Sequence, residues 1–216
     1  IDKIENLNKN PQIHGILVQL PLPHQQEDEV INRILPSKDV DGLHPMNLGK
    51  LMRGEEGFLP CTPYGVLKIL SNSNIEVSGK HAVVVGRSSL VGRPIANLLS
   101  QKMGVGNATV TLCHTGTTDI GRYTRQADIL IVATGQPRSI TCDMVKDGAV
   151  IIDVGVNRIS DSSRERGWRL VGDVDYNSVR DKVCAITPVP NGVGPMTITM
   201  LLKNVVRAAK NNMADC

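Results

Sequence analysis

The chain has 216 residues, 41% hydrophobic and 21% charged, with a net charge of +3, which is enough for one large or two small domains around a substantial core. Aromatic residues make up only 2% and the lysines and arginines are scattered, which argues against base-stacking platforms and a dedicated nucleic-acid surface. No apolar run approaches the ~20 residues that cross a bilayer. The 5 cysteines, Cys61, Cys113, Cys142, Cys184 and Cys216, have no paired or metal-ligand spacing, so they are expected to be small buried residues in a reducing compartment, with no metal site.

The opening residues read as a helix with Ile4 and Leu7 on one face, followed by a short apolar strand in His14–Pro23, HGILVQLPLP. Glu27–Leu35 has the spacing of an amphipathic helix stopped by Pro36. The following KDVDGLHP reads as a polar loop, in which Asp39 and Asp41 are either a carboxylate pair for proton transfer or Asx turns around a glycine. Thr62 as N-cap and Pro63 at the first helical position open the next helix. Asn72–Lys80 reads as a linker.

From His81 the pattern becomes regular, with strands expected at 81–86, 108–113, 128–134 and 149–154 and helices at 93–102, 118–126 and near 141–146. Such alternation specifies a doubly wound parallel sheet. RERGWR, beginning at Arg164, reads as a solvated hairpin or loop, and the last helix is expected over Met196–Lys210. The stretch HAVVVGRSSLVGRP runs a buried strand into a Gly/Ser turn and a helix N-terminus, the arrangement that offers backbone amides to a phosphate. It is not GxGxxG, so an ordinary βα turn has the same spelling.

Ligands of doubly wound sheets bind beyond the carboxyl ends of the strands. There this sequence places Gly86, Arg87 and Ser88, then His114 and Thr115, then Thr134 and Gly135, then Gly155, Val156 and Asn157. An NAD site usually has an acidic residue after the second strand. Here CHTGTT stands in its place, and with Arg87 and Thr115 available NADP is the expected cofactor. His114 reads as a residue packing at a strand end. Gln19 reads as a buried amide able to hold a partner side chain. TPVPNGVGPMT, Thr187–Thr197, is stiffened by three prolines ahead of a helix N-terminus, either as a rigid connector or as a loop shaped around a ligand.

Taken in order, VQLPLP, KDVDGLHPMNLGKL, LPCTPYGVLKIL, VVVGRSSLVGRP, GDVD and ITPVPNGVGPMT resemble the bifunctional methylenetetrahydrofolate dehydrogenase/methenyltetrahydrofolate cyclohydrolase family over nearly the whole chain. The resemblance implies a Rossmann-type sheet at 76–190, an incomplete N-terminal α/β folate-binding domain at 1–75, and a C-terminal loop and helix at 191–216 that returns to close it. It implies oxidation of 5,10-methylenetetrahydrofolate with NADP and hydrolysis of the methenyl product to 10-formyltetrahydrofolate, in a homodimer. The opening residues do not resemble a targeting segment, so a cytoplasmic location is expected, with an organelle as the alternative for a chain that lacks its natural N-terminus. A non-catalytic nucleotide-binding or partner-binding remnant of the family is the alternative.

By position, the resemblance makes Gln19 and Asp41 the catalytic residues present. It puts Val18, Gln19, Leu20 and Asp41 on the folate together with the loop Pro190, Asn191, Gly192, Val193, Gly194, Pro195, Met196, Thr197 and Ile198. Gly86, Arg87, Ser88, Thr115 and Val156 fall on the cofactor. Three departures stand out. The Tyr followed four residues later by a catalytic Lys has no counterpart, so a truncated or partial chain with an exposed sheet edge is expected. Asn191 stands where Gly is usual, and Thr115-Gly116 stands where Ser and a basic residue are common.

Overall fold

The computed structural model describes residues 1–23, 27–102 and 104–214, with side chains described through residue 211. Met103 and Cys216 lie outside the described residues.

Residues 81–186 supply a five-stranded, all-parallel sheet: β1 (His81–Val85), β2 (Thr109–Cys113), β3 (Ile129–Val132), β4 (Val150–Asp153) and β7 (Ala185–Ile186), in the order β2-β1-β3-β4-β7. Apolar residues run without alternation through β1, β3 and β4 because both faces are covered. Ala82, Val84, Ile129, Ile131 and Ile152 pack to one side with Ile95 and Leu99. Val83, Val85, Leu130, Val132 and Ile151 pack to the other with Ile140 and Val179.

Helices α5 (Gly92–Ser100), α6 (Ile120–Thr124) and α7 (Tyr176–Val179) flank the strands, and a single 3-10 turn at Cys142–Met144 replaces the helix expected near 141–146. The RERGWR segment closes an antiparallel hairpin of β5 (Asn157–Ser160) and β6 (Trp168–Val171). Arg158 stacks over the Trp168 ring with 4.6 Å to its centroid.

The first 75 residues depart further from expectation. Helix α1 (Asp2–Lys9) forms as read, but the strand expected in His14–Pro23 reduces to one bridge between Ile16 and Asp39. The expected helix at Glu27–Leu35 stops early, as α2 (Glu27–Ile31). Asn8 accounts for the stop, since its side chain accepts from Leu35 N at 3.0 Å and donates to Arg33 O at 2.6 Å. Buried Lys38 ties the same segment to α1, its Nζ donating to the carbonyls of Leu7, Asn8 and Asn10.

Two further helices complete this part, α3 (Pro45–Arg53) and α4 (Cys61–Asn72). The His44 ring caps α3 by accepting from Met46 N at 3.0 Å. Thr62 is not the N-cap of α4. Pro60 holds that position without a side-chain bond, and the Thr62 hydroxyl reaches Thr197 Oγ1 at 3.0 Å. Helix α8 (Val193–Ala214) begins earlier than the expected Met196 and packs along α4. Its buried Asn204 donates to Val40 O at 2.9 Å and Leu59 O at 3.1 Å, closing the first part of the chain with the last.

Candidate active site

The turn after β1 is built by what it cannot contain. Gly86 has φ +127°, and a Cβ there would meet Ala133 O at 2.1 Å; a Cβ on Gly92 would meet Gly86 O at 1.9 Å. The chain therefore folds back on itself with no room for side chains, leaving the N-terminus of α5 open beside β1. The Ser88 hydroxyl accepts from the amides of Val91 at 3.1 Å and Gly92 at 3.4 Å, so it orders the same helix end.

A cavity of about 440 Å³ opens against this turn, lined by Gly86, Arg87 and Ser88 from the first strand end, His114 and Thr115 from the second, and Thr134 from the third. Its described lining holds no carboxylate, while Arg87 and Ser88 are exposed to it. A 2′-phosphate would meet a guanidinium and hydroxyls without a competing negative charge. His114 holds the turn of Thr115, its Nδ1 accepting from Gly116 N at 3.1 Å, in keeping with a packing residue at a strand end.

A second cavity of about 290 Å³ lies beyond β4. Gly155 and the exposed Val156 line it from one side and Pro190–Pro195 with Ile198 from the other. Asn191 has φ +75°, the left-handed region that Gly enters freely and Asn tolerates best among other residues. The departure at this position thus keeps the backbone that a glycine would give.

Asp41 reaches this loop through α4. Its carbonyl accepts from Cys61 N at 3.3 Å, and the next residue, Thr62, bonds Thr197. Burial pushes the Asp41 carboxyl up, a bond from the Cys61 thiol draws it down, and the neighbouring charge of Asp39 raises it. Asp39 settles the question of the carboxylate pair. It is buried and accepts from Gly42 N, His44 N and Asn47 Nδ2 at 3.1, 2.8 and 2.8 Å, the bonding of a structural turn.

The reading of Gln19 as buried is corrected. It is exposed, with Nε2 donating to Leu20 O at 3.1 Å, while Val18 is half-buried against Ile4, Ile16 and Ile34 and Leu20 is also half-buried. The cavity beyond β4 gathers the Pro190–Ile198 loop and Val156, and the described lining of neither cavity includes Val18, Gln19, Leu20 or Asp41. Two carboxylates between the cavities, Asp153 and Asp173, carry hydrogen bonds that sequence reasoning passed over.

A parallel sheet whose strand ends converge on a glycine-shaped phosphate turn defines a dinucleotide-binding α/β protein. Sequence profiles narrow this: residues 60–213 match the tetrahydrofolate dehydrogenase/cyclohydrolase NAD(P)-binding domain and residues 1–41 the catalytic domain of the same family. The chain belongs to the tetrahydrofolate dehydrogenase/cyclohydrolase family. The bifunctional protein FolD of Syntrophus aciditrophicus is 60% identical over 211 residues, covering 97% of this chain and 72% of that protein.

Among solved structures, the bifunctional FolD methylenetetrahydrofolate dehydrogenase/cyclohydrolase of Campylobacter jejuni matches with a TM-score of 0.89 and 51% identity, over 97% of this chain and 72% of that one. The Trypanosoma brucei dehydrogenase-cyclohydrolase, complexed with NADP cofactor and inhibitor, matches with a TM-score of 0.90 and 40% identity, over 98% and 72%.

Proposed function

We propose that this protein oxidises 5,10-methylenetetrahydrofolate with NADP and hydrolyses the resulting 5,10-methenyl compound to 10-formyltetrahydrofolate. The observation that carries the reading is the carboxylate-free cavity bearing Arg87 at the Gly86–Gly92 turn, with the Pro190–Ile198 loop beyond the next strand end. Gly86 and Gly92 leave space that a Cβ would fill, so a pyrophosphate can approach the backbone there.

In this reading Arg87 and Thr115 face the 2′-phosphate, Ser88 and the amides of the turn hold the remaining phosphates, and Val156 forms the nicotinamide side. NADP, when bound, supplies the acceptor for hydride. Since hydride transfer needs no acid or base from the protein, the contribution of these residues is orientation and exclusion of water. Val18, Gln19, Leu20 and the 190–198 loop shape the folate cleft. Asp41 hydrogen-bonds the pterin. Its raised proton affinity lets it shift between donor and acceptor more readily than an exposed carboxylate, a property suited to the hydrolytic step.

The proposed division of the chain is 1–75 for folate, 76–190 for cofactor and 191–216 for closure. A homodimer through the cofactor part is proposed with it, to be read by light scattering. Among the described residues no helix is long and apolar enough to cross a membrane. Among the described residues four thiols are free, two of them buried, which suits the reducing cytoplasm.

The test is NADPH formation dependent on methylenetetrahydrofolate, together with loss of methenyltetrahydrofolate above the uncatalysed rate. Both are followed for this chain and for the chain extended by the family's Tyr- and Lys-bearing segment. Absence of both activities in both proteins, or equal affinity for NAD and NADP, overturns the reading.

A further inference from the structure

Asp153 ends β4 and Asp173 follows β6, and both are buried, at 3% and 0% exposure. Asp173 Oδ2 accepts from two consecutive amides after β3, Thr134 N at 2.6 Å and Gly135 N at 2.9 Å, while its Oδ1 accepts from Asn157 Nδ2 at 2.8 Å. Asp153 in turn accepts from Gly155 N at 3.0 Å, Asp173 N at 3.0 Å and Val174 N at 2.9 Å.

The fit is close. A Cβ on Gly155 would lie 2.1 Å from Asp173 Oδ1, and one on Gly172 would lie 1.9 Å from Asp153 Oδ2. Thr134 lines the cavity at the phosphate turn, whereas Asp153, Gly155 and Val156 line the one beside the Pro190–Ile198 loop. One hydrogen-bonded unit therefore spans the walls of both cavities. Burying carboxylates is costly unless every oxygen is bonded, and bonds to a charged acceptor are short and strongly directional. A change in the spacing of the two walls would break several of them at once.

We infer that Asp173, braced by Asp153 and Asn157, is a positioning residue that fixes the distance between the cofactor cavity and the Val156 wall. Resting on the function proposed above, it holds the nicotinamide end of NADP in place while the adenosine phosphate end is gripped independently at Arg87. The half of the cofactor that Asp173 governs is thus separable from the half that it does not.

Calorimetric titration of the 216-residue chain with NADP and with 2′,5′-ADP, which lacks the nicotinamide half, reads this directly. Asp173→Asn is expected to weaken NADP about tenfold and leave 2′,5′-ADP within about twofold, because Thr134 N, Gly135 N and Asn157 Nδ2 all lose a charged acceptor and at least one of them faces an NH2 donor instead. Asn157→Ala, which removes one bond to the carboxylate and a longer one to Val171 O while leaving the carboxylate itself, is expected to shift the ratio about threefold in the same direction. It keeps the test open if Asp173→Asn does not fold. An unchanged ratio in a folded variant overturns the inference, as does equal loss of both ligands. If the unsubstituted chain binds 2′,5′-ADP and NADP but shows no preference over NAD, the cofactor reading fails on its own while the Asp173 ratio still stands as its own result.

Discussion

Gly92 and Gly86 touch so closely that a Cβ on the first would lie 1.9 Å from the carbonyl oxygen of the second. That carbonyl belongs to a turn in which the Gly86 amide donates to Cys113 O at 2.9 Å, so neither side can move freely. Gly92→Ala is expected to cost about 2–3 kcal/mol through overpacking and to weaken NADP at least about tenfold by pushing the turn into the phosphate space. Urea unfolding and a NADP titration measure the two effects. A variant that binds normally would mean that the turn does not seat the phosphates.

Arg87 is exposed at the cavity mouth and acquires its importance only from a ligand with a 2′-phosphate. Arg87→Gln is expected to lower NADP affinity by about 10- to 100-fold, the value of a charge-assisted contact, and to leave NAD unchanged. Competition of the two nucleotides for one site gives the ratio. The difference should also shrink as salt is raised.

Asn204 satisfies two buried carbonyls, those of Val40 and Leu59, from the far end of the chain. Asn204→Ala leaves the Leu59 carbonyl without a partner and the Val40 carbonyl with only the 3.5 Å bond from the Cys61 thiol, and is expected to destabilise the fold by about 1–3 kcal/mol. The urea midpoint reports it, and folate affinity should fall with it because Val40 adjoins Asp41.

Burial, the dominant influence, pushes the Asp153 carboxyl from its ordinary 3.8 up to about 6, against the bonds from Val174, Asp173 and Gly155. A raised carboxylate value means that the folded chain holds the proton more tightly than the unfolded one. Ionisation of this group therefore lowers stability as pH rises from about 4 to about 6, and the loss is complete above that window. The contribution is on the order of 3 kcal/mol. Asp153→Asn is neutral throughout, so the stability of the native chain relative to this variant should decline across that interval and be flat from pH 7 to 8. A flat difference from pH 4 upward would show that the carboxylate is not raised.

The cofactor half was legible because its signals are local. A four-residue apolar run followed by Gly86 identifies β1 and its turn, and the same pattern identifies β3 and β4 with small errors at their ends. The first part was not, because its structure depends on contacts remote in sequence. Asn8 ends α2 from outside, and Thr62 abandons the capping role its position suggests for a bond to Thr197.

Helix α3 escaped notice for another reason. Gly49 interrupts its helical spelling and its cap is a histidine ring rather than Ser, Thr, Asp or Asn. Asp153 and Asp173 illustrate the remaining limit, since an acidic residue at a strand end carries no mark in the sequence of the amides it will collect.

The bond from Asn204 to Val40 joins residues 164 apart. A ribosome adding about 5–20 residues per second reaches Asn204 roughly 8 to 33 s after Val40, and until then the Leu59 carbonyl and the face of α4 that α8 covers wait for their partner. The sheet between them can assemble as it emerges, but the first part of the chain waits for the final helix. Newborn chains therefore pass through a stage with a formed nucleotide half and an open, sticky first half, the stage at which chaperones would engage them and at which a slowed 3′ end of the message would do the most harm.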